Sequence, residues 1–348
     1  MDTVDPPPPA VRATLPPWAA VVARLIATVA LMAYALSGIT WRDREVDGIV
    51  TKGMVTVLAE ANWAWWALGL ATGVAVQVVA GIRWAELARP LGFAHSRLSF
   101  VRRFFEGAFF SLCLPSSIGG DVIKAYRIGD TTQRRLLAGC SVLADRLTGL
   151  SALGVLGGAA FAAREHGLSL PASLAVAGVL LAGVLGAFLF SLSMLDRLIS
   201  KLPAPHGLRS LLAQLLPYQQ RPSLIAKAVG WSFVVQMGGA VAVAFSGRAL
   251  GIDEPLSLWF SVVPLVALAM VLPISIGGFG VRESAMSLLL AEQGVPPATG
   301  VAVALLWGLS TILTGLVGGV LALFDRTARA SSAADPAPSD APGPSPAA

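Results

Sequence analysis

Charge is what this chain has least of. Of its 348 residues only 13% are Asp, Glu, Lys or Arg, while 55% are hydrophobic and the mean hydropathy is +0.72. A soluble domain of that length could not keep so much apolar surface out of water, so the composition excludes an ordinary soluble globular protein. The two cysteines, Cys113 and Cys140, lie in apolar segments with no CxxC or Cys/His spacing. That argues against a disulfide framework or a structural metal site. The three histidines, His95, His166 and His206, are scattered among separate loops, and no Ser/His/Asp, Cys/His or Walker pattern is present. Catalysis therefore has no candidate residues, and neither a metal nor a cofactor is expected. The net charge of +5 is read by position, as orienting charge at span ends rather than as a nucleic-acid footprint. A secretory leader is not expected either. Acids and Pro7-Pro8-Pro9 stand where its basic region would be, so the first apolar segment is expected to be retained.

What is present is a stretch that occurs twice. Leu114-Pro115-Ser116-Ser117-Ile118-Gly119-Gly120 returns as Leu272-Pro273-Ile274-Ser275-Ile276-Gly277-Gly278, an offset of 158 residues. The same offset pairs Leu98-Ser99 with Leu256-Ser257 and Lys124 with Arg282. In both copies a short apolar run is stopped by proline, a Ser/Gly turn follows, and a second helix-like segment opens with a basic residue. A full membrane span needs about 20 apolar residues, so each run reads as half a span that turns back inside the bilayer. The alternative is that Pro and Gly only kink ordinary spans.

Residues 1–17 and 328–348 are rich in Pro, Ala and Ser, with too few large apolar residues to offset the entropy of ordering, and are expected to be disordered. Between them, 18–327 reads as one transmembrane domain with full spans at 18–36, 63–82, 136–163, 168–192, 224–250 and 299–324. Re-entrant hairpins fall at 100–127 and 256–290. Lys and Arg crowd three connections: Arg83, Arg89, Arg97, Arg102 and Arg103; Arg127, Arg134 and Arg135; and Arg197, Lys201, Arg209, Arg221 and Lys227. The positive-inside rule makes those cytoplasmic and puts both termini on the same side. Each repeat, 63–163 and 224–324, is then span, hairpin, span, and the single crossing between them inverts the second copy. The predicted fold class is an all-α integral membrane protein built on an inverted repeat, with six full crossings and two hairpins that meet near the midplane. Broken helices meeting in this way form the substrate sites of many transporters.

The stretch from Leu114 to Arg127, Asp145-Arg146-Leu147, and Leu272-Pro273 through Gly280-Val281-Arg282-Glu283 resemble the transmembrane region of lysylphosphatidylglycerol synthases and their stand-alone, flippase-like bacterial relatives. The resemblance covers nearly all of the chain between the tails. It implies a multi-pass protein of the bacterial inner membrane that moves a phospholipid, glycolipid or related amphiphile between leaflets. In the synthases a soluble aminoacyl-transferase domain follows this region; this chain ends at Ala348, so lysyl transfer is expected to be absent. Trp307-Gly308 stands where the family often has an aromatic-Arg pair.

Four constellations are candidates for headgroup binding. At the hairpin tips, Pro115, Ser117, Gly119 and Gly120, and Pro273, Ser275, Gly277 and Gly278, half-helix starts offer free N–H groups and a positive dipole end to a phosphate, with Ser117 and Ser275 as caps. Asp121, Lys124 and Arg127 are spaced by three and share a helix face, which suits an anionic headgroup or a solvated cytoplasmic face. Asp145 and Arg146 lie roughly 14–16 Å into a span, where an ionisable residue usually faces the bundle interior. Arg146 is the leading phosphate ligand, with Asp145 bonded to a hairpin backbone or to Ser116. Arg282 and Glu283 open the return arm of the second hairpin, where an acid suits the helix dipole. Glu106, inside the first arm, reads as a partner for an arginine or as a proton-coupling carboxylate.

Taken together, these readings point to translocation of an anionic phospholipid or lipid-linked amphiphile. The rival is a membrane-embedded lipid-headgroup transferase, or its membrane subunit working with a separate soluble partner. Membrane lipids are the expected partners, nucleic acid is not, and a homo-oligomer is left open.

Overall fold

A computed structural model describes residues 17–46, 49–113, 119–166, 214–272 and 274–334, together with Ala172. The crossing expected at 168–192, the basic residues Arg197, Lys201 and Arg209, the first hairpin's turn with Pro115 and Ser117, and Pro273 in the second lie outside the described residues.

Helix α1 spans Pro17–Ser37. The connection that follows holds a small antiparallel hairpin, β1 (Arg44–Val46) and β2 (Ile49–Thr51), with Glu45 opposite Val50, and then a short helix, α2 (Met54–Ala59). Apart from these three-residue strands the described elements are helical, as expected. Helix α3 (Trp63–Ala88) starts where the Asn62 side chain accepts the Ala64 N–H at 3.2 Å, and it ends in a 3₁₀ turn at Arg89–Leu91. Next come α4 (Arg97–Cys113), α5 (Gly119–Ile128) and α6 (Thr132–His166). Further along the chain come α7 (Leu216–Gln220), α8 (Pro222–Ala249), α9 (Leu256–Val271), α10 (Val281–Ala291) and α11 (Pro297–Ala334). Helix α11 runs past residue 328, where the tail was expected to begin.

Among the described residues four helices are long and apolar enough to cross a membrane: Trp63–Leu91, Thr132–Ala162, Pro222–Ala249 and Pro297–Phe324. The apolar parts of α1 and α9, Val21–Ser37 and Leu256–Val271, are shorter. Exposed apolar side chains such as Leu25, Ile26 and Val29 on α1 and Leu316, Val320 and Leu323 on α11 suit a lipid surround rather than water.

The order long, short, short, long helix occurs twice, as α3–α6 and α8–α11. Its pattern of neighbours also survives exchange of the two copies. Helix α3 packs on α8; α4 packs on α11 and α9 on α6; α5 packs on α6 and α10 on α11. Lipid supplies no hydrophobic drive between helices, so close approach has to come from small residues. At Gly69 a Cβ would stand 2.7 Å from the Ala242 carbonyl oxygen, which brings α3 against α8. At Gly318 it would run into the Phe105 carbonyl across the α4–α11 contact. The first short-helix pair closes on itself the same way, since a Cβ at Gly120 would strike the Gly107 carbonyl and Ser111 Oγ.

The second pair is joined by a turn with positive φ at Gly277 (64°), Gly278 (76°) and Gly280 (82°), a region open to glycine and strained for other residues. Gly280 lets the α1 backbone come close: a Cβ there would lie 2.8 Å from the Met32 nitrogen. Thr28 Oγ1 on α1 accepts the Ile276 N–H at 2.8 Å. Helix α1 thus covers the second turn.

Two outcomes follow from this packing. Gly120→Ala and Gly318→Ala should each lower stability by about 1–3 kcal/mol as overpacked contacts, read as a fall in melting temperature of the purified protein. Gly154→Ala, whose Cβ would meet nothing within 4 Å, should not. Asp43, in the connection before the β-hairpin, accepts the Gly53 N–H at 2.8 Å. That bond, and then the Thr56 side chain, hold its carboxyl below the ordinary 3.8. A lowered folded-state value means the contact stabilises above a pH of about 4 and is lost as pH falls through the lowered value. Protection of the Gly53 amide in hydrogen exchange should collapse in that acid window, and Asp43→Asn should remove the step.

Candidate functional site

Charged side chains inside the helical body gather in four groups, each fixed by a different pair of elements. The most buried joins three helices. Arg83 on α3 donates through Nε to Asp145 Oδ1 on α6 at 2.7 Å and through Nη1 to Ser232 Oγ on α8 at 2.9 Å, with both charged residues almost out of solvent. Arg83 had been counted with the basic loop after the second span. Helix α3 continues past it to Ala88, which carries it into the interior. Asp145, expected to bond a hairpin backbone or Ser116, has its carboxylate on Arg83; Ser116 is not among the described residues. Nearby, Trp84 Nε1 donates to Ser141 Oγ at 3.0 Å and the Tyr218 hydroxyl to the Leu87 carbonyl at 2.7 Å.

The second group is the first-hairpin set. Asp121, in the first turn of α5, is held from two sides. Lys124 Nζ reaches Oδ1 at 3.1 Å, and Arg146 Nε on α6 reaches Oδ2 at 2.7 Å. Lys124 also lies over the Phe104 ring, 4.0 Å from its centroid. Asp145 and Arg146 are neighbours in sequence but leave the helix about 100° apart, so one faces the buried arginine and the other faces Asp121. The Arg146 side chain is 50% exposed.

In the third group, Glu106 on α4 is fully buried and serves three arginines. Arg102 Nε lies at 3.2 Å, Arg103 Nη1 at 3.1 Å and Arg127 Nη1 at 3.7 Å. Arg102 Nη2 also donates to the Leu321 carbonyl of α11 at 2.8 Å. Glu106 therefore has the arginine partners expected of it, and Arg127 belongs to this group rather than to the Asp121–Lys124 pair.

The fourth group closes the second hairpin. Arg282 and Glu283 are both buried, with Nε to Oε1 at 3.0 Å and Nη2 to Oε1 at 2.6 Å, while Glu283 Oε2 accepts the Gly280 N–H at 2.6 Å. Gly280, not Ser275, is the residue before α10, so the capping expected of Ser275 is made instead by the Glu283 carboxylate. The Arg282 guanidinium sits 4.9 Å from the Phe279 ring centroid and 6.0 Å from that of Trp307, and a Cβ at Gly308 would strike it. Two N–H groups of the second turn, those of Ile276 and Gly280, are taken by Thr28 and Glu283.

Among the described residues the first-hairpin set opens onto a large cleft. A cavity of about 730 Å³ lies between α5, α6 and the end of α9, with Asp121, Arg146, Tyr126 and Arg135 on its wall among residues such as Val122, Leu143 and Val271. A second cavity of about 250 Å³ lies among α3, α4, α8 and α11 and is lined by Gln77 and the hydroxyls of Ser246, Ser310, Thr311 and Thr314. Among the described residues no group of three His, Cys, Asp or Glu side chains is arranged to hold a metal ion.

The family model described as the lysylphosphatidylglycerol synthase TM region matches residues 19–319. The chain belongs to that family. No curated protein and no solved structure matches it. All four charged groups fall inside the matched region, and membership places the chain among proteins of membrane-lipid function. Gly308, next to Trp307, leaves room that the Arg282 guanidinium fills.

Sequence reasoning singled out Asp121 and Lys124 with Arg127, and Arg146 with Asp145, as separate sets that the structure regroups; it gave no site role to Arg83, Arg135, Tyr126 or Gly139. The available signal for Arg83 was the apolar helical pattern that continues through Trp84 and Ala85 beyond a lone basic residue. Breaking one side of the buried pair should be far worse than replacing both. Arg83→Met or Asp145→Leu alone should cost about 3–5 kcal/mol, and the double substitution markedly less than the sum of the two. A double-mutant cycle of melting in detergent reads this directly.

Proposed function

We propose that this protein is a lipid translocase of the bacterial inner membrane. It would move an anionic phospholipid or a lipid-linked amphiphile between leaflets without changing the headgroup chemically. In this reading the two short-helix pairs are re-entrant hairpins of an inverted repeat, entering from opposite sides with both termini cytoplasmic.

One observation carries the proposal: the 730 Å³ cleft has apolar walls and a half-exposed arginine paired with the shared carboxylate of Asp121. Acyl chains need the apolar wall, and a phosphate needs a cation it can win from its present partner. A fully buried pair resists such exchange, since separating it costs several kcal/mol, whereas a cation with half its side chain open to the cleft can turn from its partner to a new anion. Arg146 is the cation that meets this condition. A phosphate oxygen would take its Nε–H while Asp121 stays with Lys124. Guanidinium geometry suits the exchange, because two parallel N–H groups fit either a carboxylate or a phosphate.

The other cations take part differently. Lys124 holds Asp121 during the exchange and adds positive potential at the cleft. Arg127 acts through Glu106. Arg282 would become a phosphate ligand on the far side only in a state where Glu283 has released it; until then the pair keeps the second hairpin closed.

The decisive comparison is movement of tail-labelled phosphatidylglycerol across vesicles containing the full-length protein, wild type against Arg146→Ala. Loss of movement by about tenfold or more, with melting temperature nearly unchanged, is the expected result. Equal loss of folded protein would make Arg146 a structural clamp, and headgroup modification in the same vesicles would assign a transferase instead.

A further inference from the structure

The cleft is longer than one phosphate requires, and a second arginine stands in it. Arg135 precedes Arg146 by eleven residues on α6. At 1.5 Å and 100° per residue the two are about 16 Å apart along the axis and leave the helix within about 20° of the same direction. Arg135 lies over the Tyr126 ring with its guanidinium carbon 4.0 Å from the centroid, and its Nε donates to the Gly129 carbonyl at 3.2 Å. Among the described residues no carboxylate pairs with it. Neutral partners therefore orient this guanidinium, and its charge is available to an anion.

Between the two arginines the α6 wall is apolar and shallow. Gly139, Val142 and Leu143 line it, and a Cβ at Gly139 would meet nothing within 4 Å. No neighbour's packing requires glycine at that position, and glycine in mid-helix is unfavourable relative to alanine. What Gly139 contributes is open width on the face that joins Arg135 to Arg146. Val122, Leu136 and Val271 around the cleft are 49–59% exposed, a surface that suits acyl chains and offers nothing to a small soluble anion.

We infer that the cleft holds two anion stations, Arg135 on Tyr126 and Arg146 beside Asp121, and that the phosphate of a lipid headgroup passes between them across Gly139. This rests on the translocation reading above and extends it to a path. A phosphodiester at Arg135 would sit against a guanidinium already stacked and hydrogen-bonded, so little side-chain freedom is lost on capture. At Arg146 it must displace a carboxylate, which makes Arg135 the station of capture and Arg146 the station of commitment.

The test uses full-length protein in phosphatidylcholine vesicles doped with tail-labelled phosphatidylglycerol, and in parallel measures phosphatidylglycerol retained by the detergent-purified protein. Arg135→Gln should raise the lipid concentration for half-maximal movement about tenfold and leave the maximal rate nearly intact; Arg146→Gln should lower the maximal rate about tenfold. Gly139→Leu should retain the lipid yet slow its movement, while Gly139→Ala behaves as wild type. Wild-type saturation in Arg135→Gln, or wild-type movement in Gly139→Leu with that variant folded, would overturn the two-station path and leave translocation standing. A wild type that moves no lipid, but loses retained phosphatidylglycerol stepwise on Arg135→Gln and Arg146→Gln, would do the reverse. Absence of both movement and retention ends both. Displacement of the retained lipid by free glycerol phosphate would mark a soluble-phosphate site and overturn the lipid assignment.

Discussion

The buried ion pair between Arg83 and Asp145 is the constraint on which the helical arrangement turns. Removing two charges from water is expensive, and the loss is offset only when geometry is good and the remaining donors are satisfied. Here Arg83 reaches Asp145 on α6 and Ser232 on α8 together, so three long helices must keep one relative position for the pair to stay paid for. Helix α3 is also the element whose glycine face meets α8 at Gly69. Polar bonding and close backbone packing fix the same contact, and each would be weaker alone, because a polar bond between helices in lipid contributes only about 1 kcal/mol.

With that frame set, the two copies diverge in how they treat charge. The first short-helix pair keeps its ionic group on the wall of a large cleft, with Asp121 shared by Lys124 and Arg146. The second buries Arg282 against Glu283, roofs the turn with α1 through Thr28, and gives the guanidinium the volume beside Gly308. Lys124 and Arg282 correspond in the repeat and both lie near an aromatic ring, Phe104 for one and Phe279 for the other. The difference comes from the acid. Asp121 precedes its lysine by one helical turn and faces a neighbour on α6, whereas Glu283 follows its arginine directly and turns back on its own helix start.

This contrast also shows how much was legible in the chain itself. The helical pairs could be read because proline and clustered glycine interrupt apolar runs at a fixed offset, a local signal that needs no tertiary knowledge. Asp121, Lys124 and Arg146 could be singled out because spacing along one helix and depth along another are arithmetic. The partner of Asp145 could not, since Arg83 is sixty-two positions away and the choice between a loop arginine and a buried one depends on where α3 stops. The expected Ser275 cap failed for a related reason. Glycines at 277, 278 and 280 extend the turn with positive φ, so α10 begins later than the Ser/Gly pattern suggests. The strands at Arg44–Val46 and Ile49–Thr51 are too short for alternation to register.

What remains is why one carboxylate should serve two cations at a site proposed to take an anion. An unpaired arginine facing an apolar cleft would carry a desolvation cost of about 2.5–3.5 kcal/mol on insertion scales. Asp121 offsets that cost in the empty state, and because Lys124 holds its other oxygen, it loses only one of two partners when a phosphate arrives. The exchange trades one charge-assisted hydrogen bond for another of the same kind, so neither the empty nor the occupied cleft lies in a deep well. Shallow wells of similar depth are what a moving ligand requires, since binding much tighter than the competing carboxylate would hold the headgroup in place. Arg282 sits in the opposite situation, with both Glu283 oxygens committed and little solvent access, and its chemistry supports rigidity in the second hairpin rather than exchange.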